Sequence, residues 1–232
     1  MGLLDKFKKK GEEKVEAPLC YSEKEMTAVE NHVSKYFGSY ESVFHEIYSP
    51  DIHVDIIRID PSPERNYYTL VTMGAGAYKM VMPEELEIPK RAEYYIKLPS
   101  DWDFENLQDF ENYWPMELLK YLARLPLSED TWLGYGHTAG SDEENTPFAD
   151  NTKLCCVALS LYEPYDEDAV TVALPNGEEV IFYQMVPIYA DELEYKLNNE
   201  GGLEALEELL GDVLVKPLDI NRQSCVPKKK YH

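Results

Sequence analysis

His53 and Asp55 are the residue pair in this chain that most resembles an enzyme site. They stand two positions apart in DIHVDIIRI, a segment that alternates as a β-strand does, so both side chains are predicted to project from one face. A neutral imidazole beside a carboxylate can bind a metal ion or act as a base with its orienting partner. With His137 as a third group, the pair gives the hypothesis of a metal-dependent hydrolase.

The competing interpretation of His53 and Asp55 is structural. Ile57 and Ile59 continue the same face of the predicted strand, so the pair can lie at the rim of a core, where each satisfies the other. A metal site needs three or four ligands, and the sequence has no second HxH, HxxxH or HExxH motif. We therefore predict no metal, no cofactor and no catalytic residue.

The segment DTWLGYGHT, residues 130–138, is the second candidate. We predict a strand over 131–137, with Tyr135 and His137 on one face and Trp132 on the other. Trp132 is expected to be buried. The two glycines then mark close backbone approach or a bulge. Because no acid or nucleophile is fixed beside His137, we expect a fold element first and a recognition edge second.

Other catalytic patterns have little support. There is no GxSxG elbow for a nucleophilic serine. Gly74-Ala75-Gly76 follows a predicted strand but lacks both GxGxxG and GKS/T, so it is a weak phosphate cradle. Carboxylates do cluster, most compactly at Asp142, Glu143 and Glu144. Such a cluster can attract a basic partner or simply form a solvated face.

The elements that must position these residues alternate irregularly between helix and strand. Periodicity and capping signals predict helices over 22–37, 115–124, 191–197 and 203–210. Strands are predicted over 51–59, 67–73, 93–98, 131–137 and 153–161, and Asn176-Gly177 predicts a hairpin. This order favours a single α+β domain with a largely antiparallel or mixed central sheet flanked by helices.

Composition bounds the domain and its partners. The chain has 232 residues, 44% of them hydrophobic, and a formal net charge of −22. So acidic a surface repels nucleic acids and anionic membranes and favours a basic protein partner, although it also serves solubility. We predict a tail over 1–18, one domain over 19–219 and a second tail over 220–232.

Membrane attachment has one weak signal. No apolar run approaches the ~18 residues that span a bilayer. Leu3, Leu4 and Phe7, interleaved with lysines, could form a short amphipathic turn of a membrane-surface adaptor. A solvated tail is the preferred interpretation, because one short segment anchors weakly.

The four cysteines indicate reduced thiols in a cytoplasmic protein, since no CxxC spacing is present. Cys155 and Cys156 are neighbours in an apolar run. On a strand they would point to opposite faces, so we expect them not to pair. Cys225, in a polar segment, is predicted to be the more exposed thiol.

Several segments together resemble the suppressor of fused domain family. They are DIHVDIIRI, NYYTLVTMGAG, YYIKLPSDWDF, YWPMELLKYLARLP (which contains Trp114), DTWLGYGHT and PFADNTKLCCVAL. The resemblance covers about residues 40–217, and the hairpin and EGGLEALEELL follow in the family's order. It implies a binding protein rather than an enzyme.

Within that family the chain resembles the stand-alone bacterial members, since it is too short for the second domain of the animal protein. The animal protein sequesters a transcription factor in Hedgehog signalling. The bacterial members are commonly proposed to be immunity proteins that neutralise a toxin. An aspartate that contacts the ligand in the animal protein corresponds here to Gly136, so that contact is not carried over.

The resemblance and the charge together give a non-enzymatic, cytoplasmic protein-binding domain of the immunity type, with a basic toxin as the expected partner. The candidate partner-binding or family-motif residues are His53, Asp55, Trp114, Trp132, Tyr135, His137, Asp142, Glu143 and Glu144.

Overall fold

The fold is an open mixed sheet of eight strands with helices on both faces. A computed structural model describes residues 17–161 and 167–227. The strands are β1 (Ser42–Phe44), β2 (Asp55–Ile59), β3 (Tyr67–Met73), β4 (Arg91–Pro99), β5 (Thr138–Gly140), β6 (Cys156–Ser160), β7 (Thr171–Ala173) and β8 (Glu179–Ile188). The helices are α1 (Glu23–Tyr36), α2 (Phe110–Ser128), α3 (Ala190–Asn198), α4 (Leu203–Leu210) and α5 (Asp212–Val215). The predicted fold class is confirmed.

The strand order is β1-β2-β3-β4-β8-β6-β5, and β7 pairs with the start of β8. All neighbours are antiparallel except β4 and β8, which run parallel. Within the described residues, β7 has β8 as its single neighbour, and β1 and β5 are the two ends of the main strand order. They lie six strand spacings apart, or about 29 Å.

Each face of the sheet carries its own core because successive side chains of a strand point to opposite faces. Tyr94 and Tyr183 pack on the face covered by α2. Tyr95 and Phe182 pack on the other face, beneath α1. A third cluster on that second face joins β6 and the end of β8 to α4.

The helix α1 was predicted well from sequence, whereas α2 was predicted too short. Ser22 and Glu25 form the expected capping box of α1. In α2 the expectation that Pro115 lies in the first turn is wrong, because the helix begins five residues earlier. Proline cannot donate to the carbonyl four residues before it. The side-chain amide of Asn151 donates to that Glu111 carbonyl oxygen at 3.2 Å and compensates for the missing bond.

Strand positions were predicted better than strand ends. The predicted strand over 67–73 matches β3, and Asn176-Gly177 does connect the hairpin of β7 and β8. Gly177 has a φ of +84°, a conformation that favours glycine. The strand predicted over 51–59 begins only at Asp55, and the strand predicted over 131–137 does not form.

The cysteines differ from expectation in two ways. Cys20 is the exposed thiol, whereas Cys225 is half-buried against the α4 cluster. The Sγ atoms of Cys155 and Cys156 lie 3.7 Å apart rather than on opposite faces. Both residues oppose Ile188 on β8, the arrangement of a β-bulge, which turns consecutive side chains toward the same side.

The described part of the C-terminal segment packs on the domain. Arg222 forms an ion pair with the buried Glu192 of α3, with Nη1 and Oε1 2.6 Å apart, and the Cys225 amide donates to the same carboxylate at 2.9 Å. These bonds hold the pKa of Glu192 low although burial opposes ionisation. Leu3, Leu4 and Phe7 lie outside the described residues. No helix within 17–161 and 167–227 is long and apolar enough to cross a membrane.

Candidate functional site

His53 and Asp55 lie side by side, as their spacing suggested, although only Asp55 belongs to a strand. Asp55 Oδ1 is 3.1 Å from His53 Nε2, and Asp55 Oδ2 is 2.8 Å from His45 Nδ1. The backbone N–H of Glu46 also donates to Oδ1, at 2.8 Å. The carboxylate of Asp55 therefore ties together both ends of the loop over residues 45–54.

A second carboxylate, that of Glu46, completes this network. Arg124 of α2 donates to both Glu46 oxygens, at 2.7 and 2.8 Å, and to the carbonyl of Ile52 at 3.0 Å. Ser49 Oγ lies 2.6 Å from Glu46 Oε2 and 2.8 Å from His53 Nδ1. The loop is thus fastened to the sheet at Asp55 and to α2 at Arg124.

The chain Ser49–His53–Asp55 has the connectivity of a nucleophile, base and orienting acid, but its hydrogen bonds are directed otherwise. An ionised carboxylate only accepts, so Ser49 donates to Glu46 and accepts from His53. A base must instead accept the proton of the nucleophile. The network therefore holds Ser49 rather than activating it.

The metal hypothesis has the wrong geometry. Among the described residues there is no group of three His, Cys, Asp or Glu side chains that could hold a metal ion. His137 precedes β5, whereas Asp55 begins β2, and five strand spacings, about 24 Å, separate those strands. The three side chains cannot share one ion.

The segment 130–138 is a turn that leads into β5 rather than a strand. Residues 135–136 form the turn, and Gly136 has a φ of +88°. Trp132 and His137, predicted on opposite faces, are in ring contact with centroids 4.1 Å apart. Trp132 was expected to be buried; it packs against the main core but stays only partly buried. Burial lowers the pKa of His137, although its bond to the Trp132 backbone opposes this.

Tyr135 joins this turn to α4. Its hydroxyl donates to Glu207 Oε2 at 3.0 Å, and Ser160 of β6 donates to Glu207 Oε1 at 2.5 Å. Burial, followed by the Glu207 carboxylate, raises the pKa of Tyr135 to about 12. Tyr135 therefore remains a neutral donor that positions the start of β5.

The acidic cluster lies in the loop that leaves β5. Asp142 Oδ1 accepts from the backbone N–H of Glu144 at 3.0 Å and of Thr146 at 2.9 Å. These bonds lower the pKa of Asp142, which acts as the organiser of the loop. Glu143 and Glu144 are exposed. The loop therefore holds two solvated carboxylates beside the edge of the sheet.

The outer edge of β5 is open within the described residues. Leu159 N–H donates to the His137 carbonyl at 3.0 Å, and Ser141 N–H donates to the Cys155 carbonyl at 2.8 Å. Backbone groups alternate in direction along a strand, so those of Thr138 and Gly140 point away from β6. An edge of this kind can pair with a strand of another chain.

An apolar groove runs between this edge and α2. Its walls are Phe110, Trp114 and Tyr121 on the helix, and residues 140–142 and 146–148 on the other side. Phe110 is 51% and Tyr121 46% exposed. Trp114 is 1% exposed and stacks on Phe148, with ring centroids 5.2 Å apart. Its Nε1 has no hydrogen-bond partner among the described residues.

Sequence reasoning missed Phe110, Tyr121 and Phe148. The signal was available for the two helical residues, because positions 110, 114 and 121 recur on one helical face. The predicted start at residue 115 left Phe110 and Trp114 outside the helix. No comparable local pattern marks Phe148, because it lies in the loop between β5 and β6 and reaches Trp114 only when that loop folds against α2.

The glycine segment that resembled a phosphate cradle is already filled. The N–H groups of Gly74 and Gly76 both donate to Glu93 Oε1, each at 3.0 Å. Tyr21 donates to the same oxygen at 2.7 Å. Burial nevertheless raises the pKa of Glu93, because these donors are all neutral. The segment holds a side chain of its own protein.

Comparison with known proteins identifies the family. The model of the suppressor of fused protein family matches residues 50–223, most of the chain. This chain belongs to the suppressor of fused family. The resemblance noted in the sequence is confirmed.

Relatives of the chain occur in bacteria and in animals. An uncharacterised protein of Ureaplasma parvum serovar 3 is 29% identical over 209 residues, 89% of this chain and 98% of that protein. The crystal structure of a suppressor of fused homologue from Neisseria gonorrhoeae has a TM-score of 0.62 at 21% identity, over 88% of this chain and 98% of that one.

Two further structures share the fold. One is the Sufu–Fu complex, with a TM-score of 0.61 at 17% identity over 90% of this chain and 93% of that one. The other is Drosophila suppressor of fused, with a TM-score of 0.54 at 15% identity. The match covers 87% of this chain but 51% of the Drosophila chain. In eukaryotes, family members bind proteins, as the Sufu–Fu complex illustrates.

Proposed function

We propose that this suppressor of fused domain is a non-enzymatic binding protein that accepts a partner segment along β5 and the neighbouring groove. The observation that carries the proposal is the open edge of β5 beside a groove with exposed aromatic walls. An added strand gains backbone hydrogen bonds from the edge, and its side chains gain specificity from the groove.

The charge of this surface favours a basic partner. Glu117 and Asp142 line the groove, and among the described residues no lysine or arginine does so. Glu143 and Glu144 continue the acidic rim. Charges of one sign around a binding surface speed the approach of an oppositely charged protein.

We propose further that the chain is a cytoplasmic immunity-type protein of a bacterium and that its partner is a basic toxin. Two observations support this: its relatives include proteins of Ureaplasma and Neisseria, and its net charge is −22. An inhibitor that occupies a basic surface of the toxin blocks access to substrate without any chemistry of its own.

Co-expression with the product of the adjacent gene tests this function. We expect rescue of growth and a complex in size-exclusion chromatography. Thr138→Pro removes an outward N–H of β5 and should abolish both, because proline cannot donate to an added strand. Val81→Ser, at an exposed apolar residue outside the groove, is the matched control and should retain both.

Two results contradict the proposal in different ways. Unchanged toxicity with no complex would remove the immunity function. A complex that Thr138→Pro leaves intact would retain the function but move the binding site away from β5.

A further inference from the structure

The loop over residues 45–50 presents two consecutive apolar side chains to solvent. Ile47 is fully exposed and Tyr48 is 79% exposed, more than any other large hydrophobic side chain of the described residues. Single exposed hydrophobic residues are ordinary, but two adjacent ones on a projecting loop form a small apolar patch. We call Ile47 and Tyr48 the projection.

The projection is held in place. His45 and Glu46 before it, and Ser49 after it, are bonded into the network of Asp55 and Arg124 described above. Such bracing reduces the conformational entropy that binding would otherwise cost.

The groove beside β5 has the complementary chemistry. It opens to solvent, and aromatic side chains of Phe110, Tyr121 and Phe148 line it. A tyrosine supplies an aromatic ring for such a groove and a polar hydroxyl that can stay at its wet rim. Tyr48 is therefore a suitable occupant of the groove, with Ile47 beside it.

Local charge permits this contact although two copies repel each other overall. The carboxylates of Glu46 and Asp51 near the projection are both paired with Arg124. Arg124 balances one of these two negative charges, so the trio brings a single net negative charge toward Glu117 and Asp142. Added salt should screen the remaining repulsion between chains of charge −22.

We propose that Ile47 and Tyr48 of one copy insert into the groove of Phe110, Trp114 and Tyr121 of a second copy. The two surfaces differ, so the contact is head-to-tail and leaves one projection and one groove free at its ends. If the groove also serves the proposed function, self-association and partner binding compete; that consequence, but not the contact, depends on the proposed function.

Sedimentation velocity of the full chain without any partner tests the contact. We expect the average mass to rise with protein concentration, and to rise further at higher salt. Ile47→Ser/Tyr48→Ser and Phe110→Ser/Tyr121→Ser should each weaken association at least about tenfold. Leu197→Ser, at a 66% exposed apolar residue on α3, is the matched control and should associate like the wild type.

Mixing the two double variants separates this contact from any other. One variant keeps an intact groove and the other an intact projection, so an equimolar mixture should form dimers and nothing larger. Circular dichroism checks that both variants are folded. A wild type that stays monomeric at every concentration and salt overturns the proposal, as does association that either variant retains. A mixture that stays monomeric overturns it too. None of these results bears on rescue from a toxin.

Discussion

The two edges of the sheet use their polar and aromatic side chains in opposite ways. At β1 and β2, the carboxylates of Glu46 and Asp55 are bonded to Arg124, His45, His53 and backbone N–H groups. At β5, the strand edge is open and the indole N–H of Trp114 has no acceptor among the described residues. Residues that look catalytic in sequence are satisfied by one another, whereas the strand edge that we propose for partner binding has fewer polar motifs in sequence.

The largest expected effect is at the first edge. Arg124→Met leaves the nearly buried carboxylate of Glu46 without its cation, and we expect a loss of about 3 kcal/mol in the free energy of unfolding. Urea denaturation measures it. Lys216→Met, which breaks the exposed pair with Asp212, should cause no measurable loss.

The comparison would fail if Arg124→Met were as harmless as Lys216→Met. Binding of partner by the folded fraction should be unchanged in both variants, because neither residue lines the groove.

The second prediction concerns the other edge. Phe110→Ser/Tyr121→Ser should lower partner affinity about 100-fold, or about 2.7 kcal/mol, because exposed aromatic walls carry much of the binding energy. The free energy of unfolding should change by less than about 1 kcal/mol, since both side chains are half-exposed. Titration calorimetry and urea denaturation give the two values. Equal losses of binding free energy and of unfolding free energy would show that the groove residues act through stability rather than through binding.

A matched pair of aspartates gives the third prediction. Asp55→Asn removes one of the acceptor oxygens shared by His45, His53 and the Glu46 amide, and should cost about 1–2 kcal/mol of unfolding free energy. Asp142→Asn changes an exposed loop at the other edge, where the asparagine Oδ1 still accepts the two backbone N–H groups, and should cost clearly less. Thermal and urea unfolding of both variants measure the difference. The reverse order would contradict the assignment of the His–Asp cluster as a structural brace.

The smallest expected effect is a pH dependence at His137. Its folded pKa is lowered below the ordinary value of 6.5, so the unfolded chain binds the proton first as pH falls. The stability from the neutral ring is present above about pH 6.5 and is lost as pH falls through the folded pKa. Unfolding free energies between about pH 7.5 and 5 should decline less steeply in His137→Gln. Parallel curves would show that His137 does not titrate in this way.

Local sequence signals predicted those elements whose cause is local. The capping box of Ser22 and Glu25, the aromatic and β-branched run of β3 and the Asn176-Gly177 turn each act within a few residues, and all three elements are present. Segment 130–138 was predicted as a strand from its alternation, but the chain turns there at Gly136 to enter β5. Alternation alone cannot distinguish a strand from a turn whose rings pack on each other.

The sequence by itself determined the family, the fold class and the acidic character of the surface, because these depend on motif order, periodicity and composition. Only the tertiary structure decided which candidates meet. Arg124 of α2 donates to Glu46, which lies 78 residues earlier in the loop before β2. Asn151 donates to the Glu111 carbonyl, which Pro115 leaves without its helical donor. These hydrogen bonds form only because α2 packs on the sheet and brings distant residues together. No spacing within a segment encodes them.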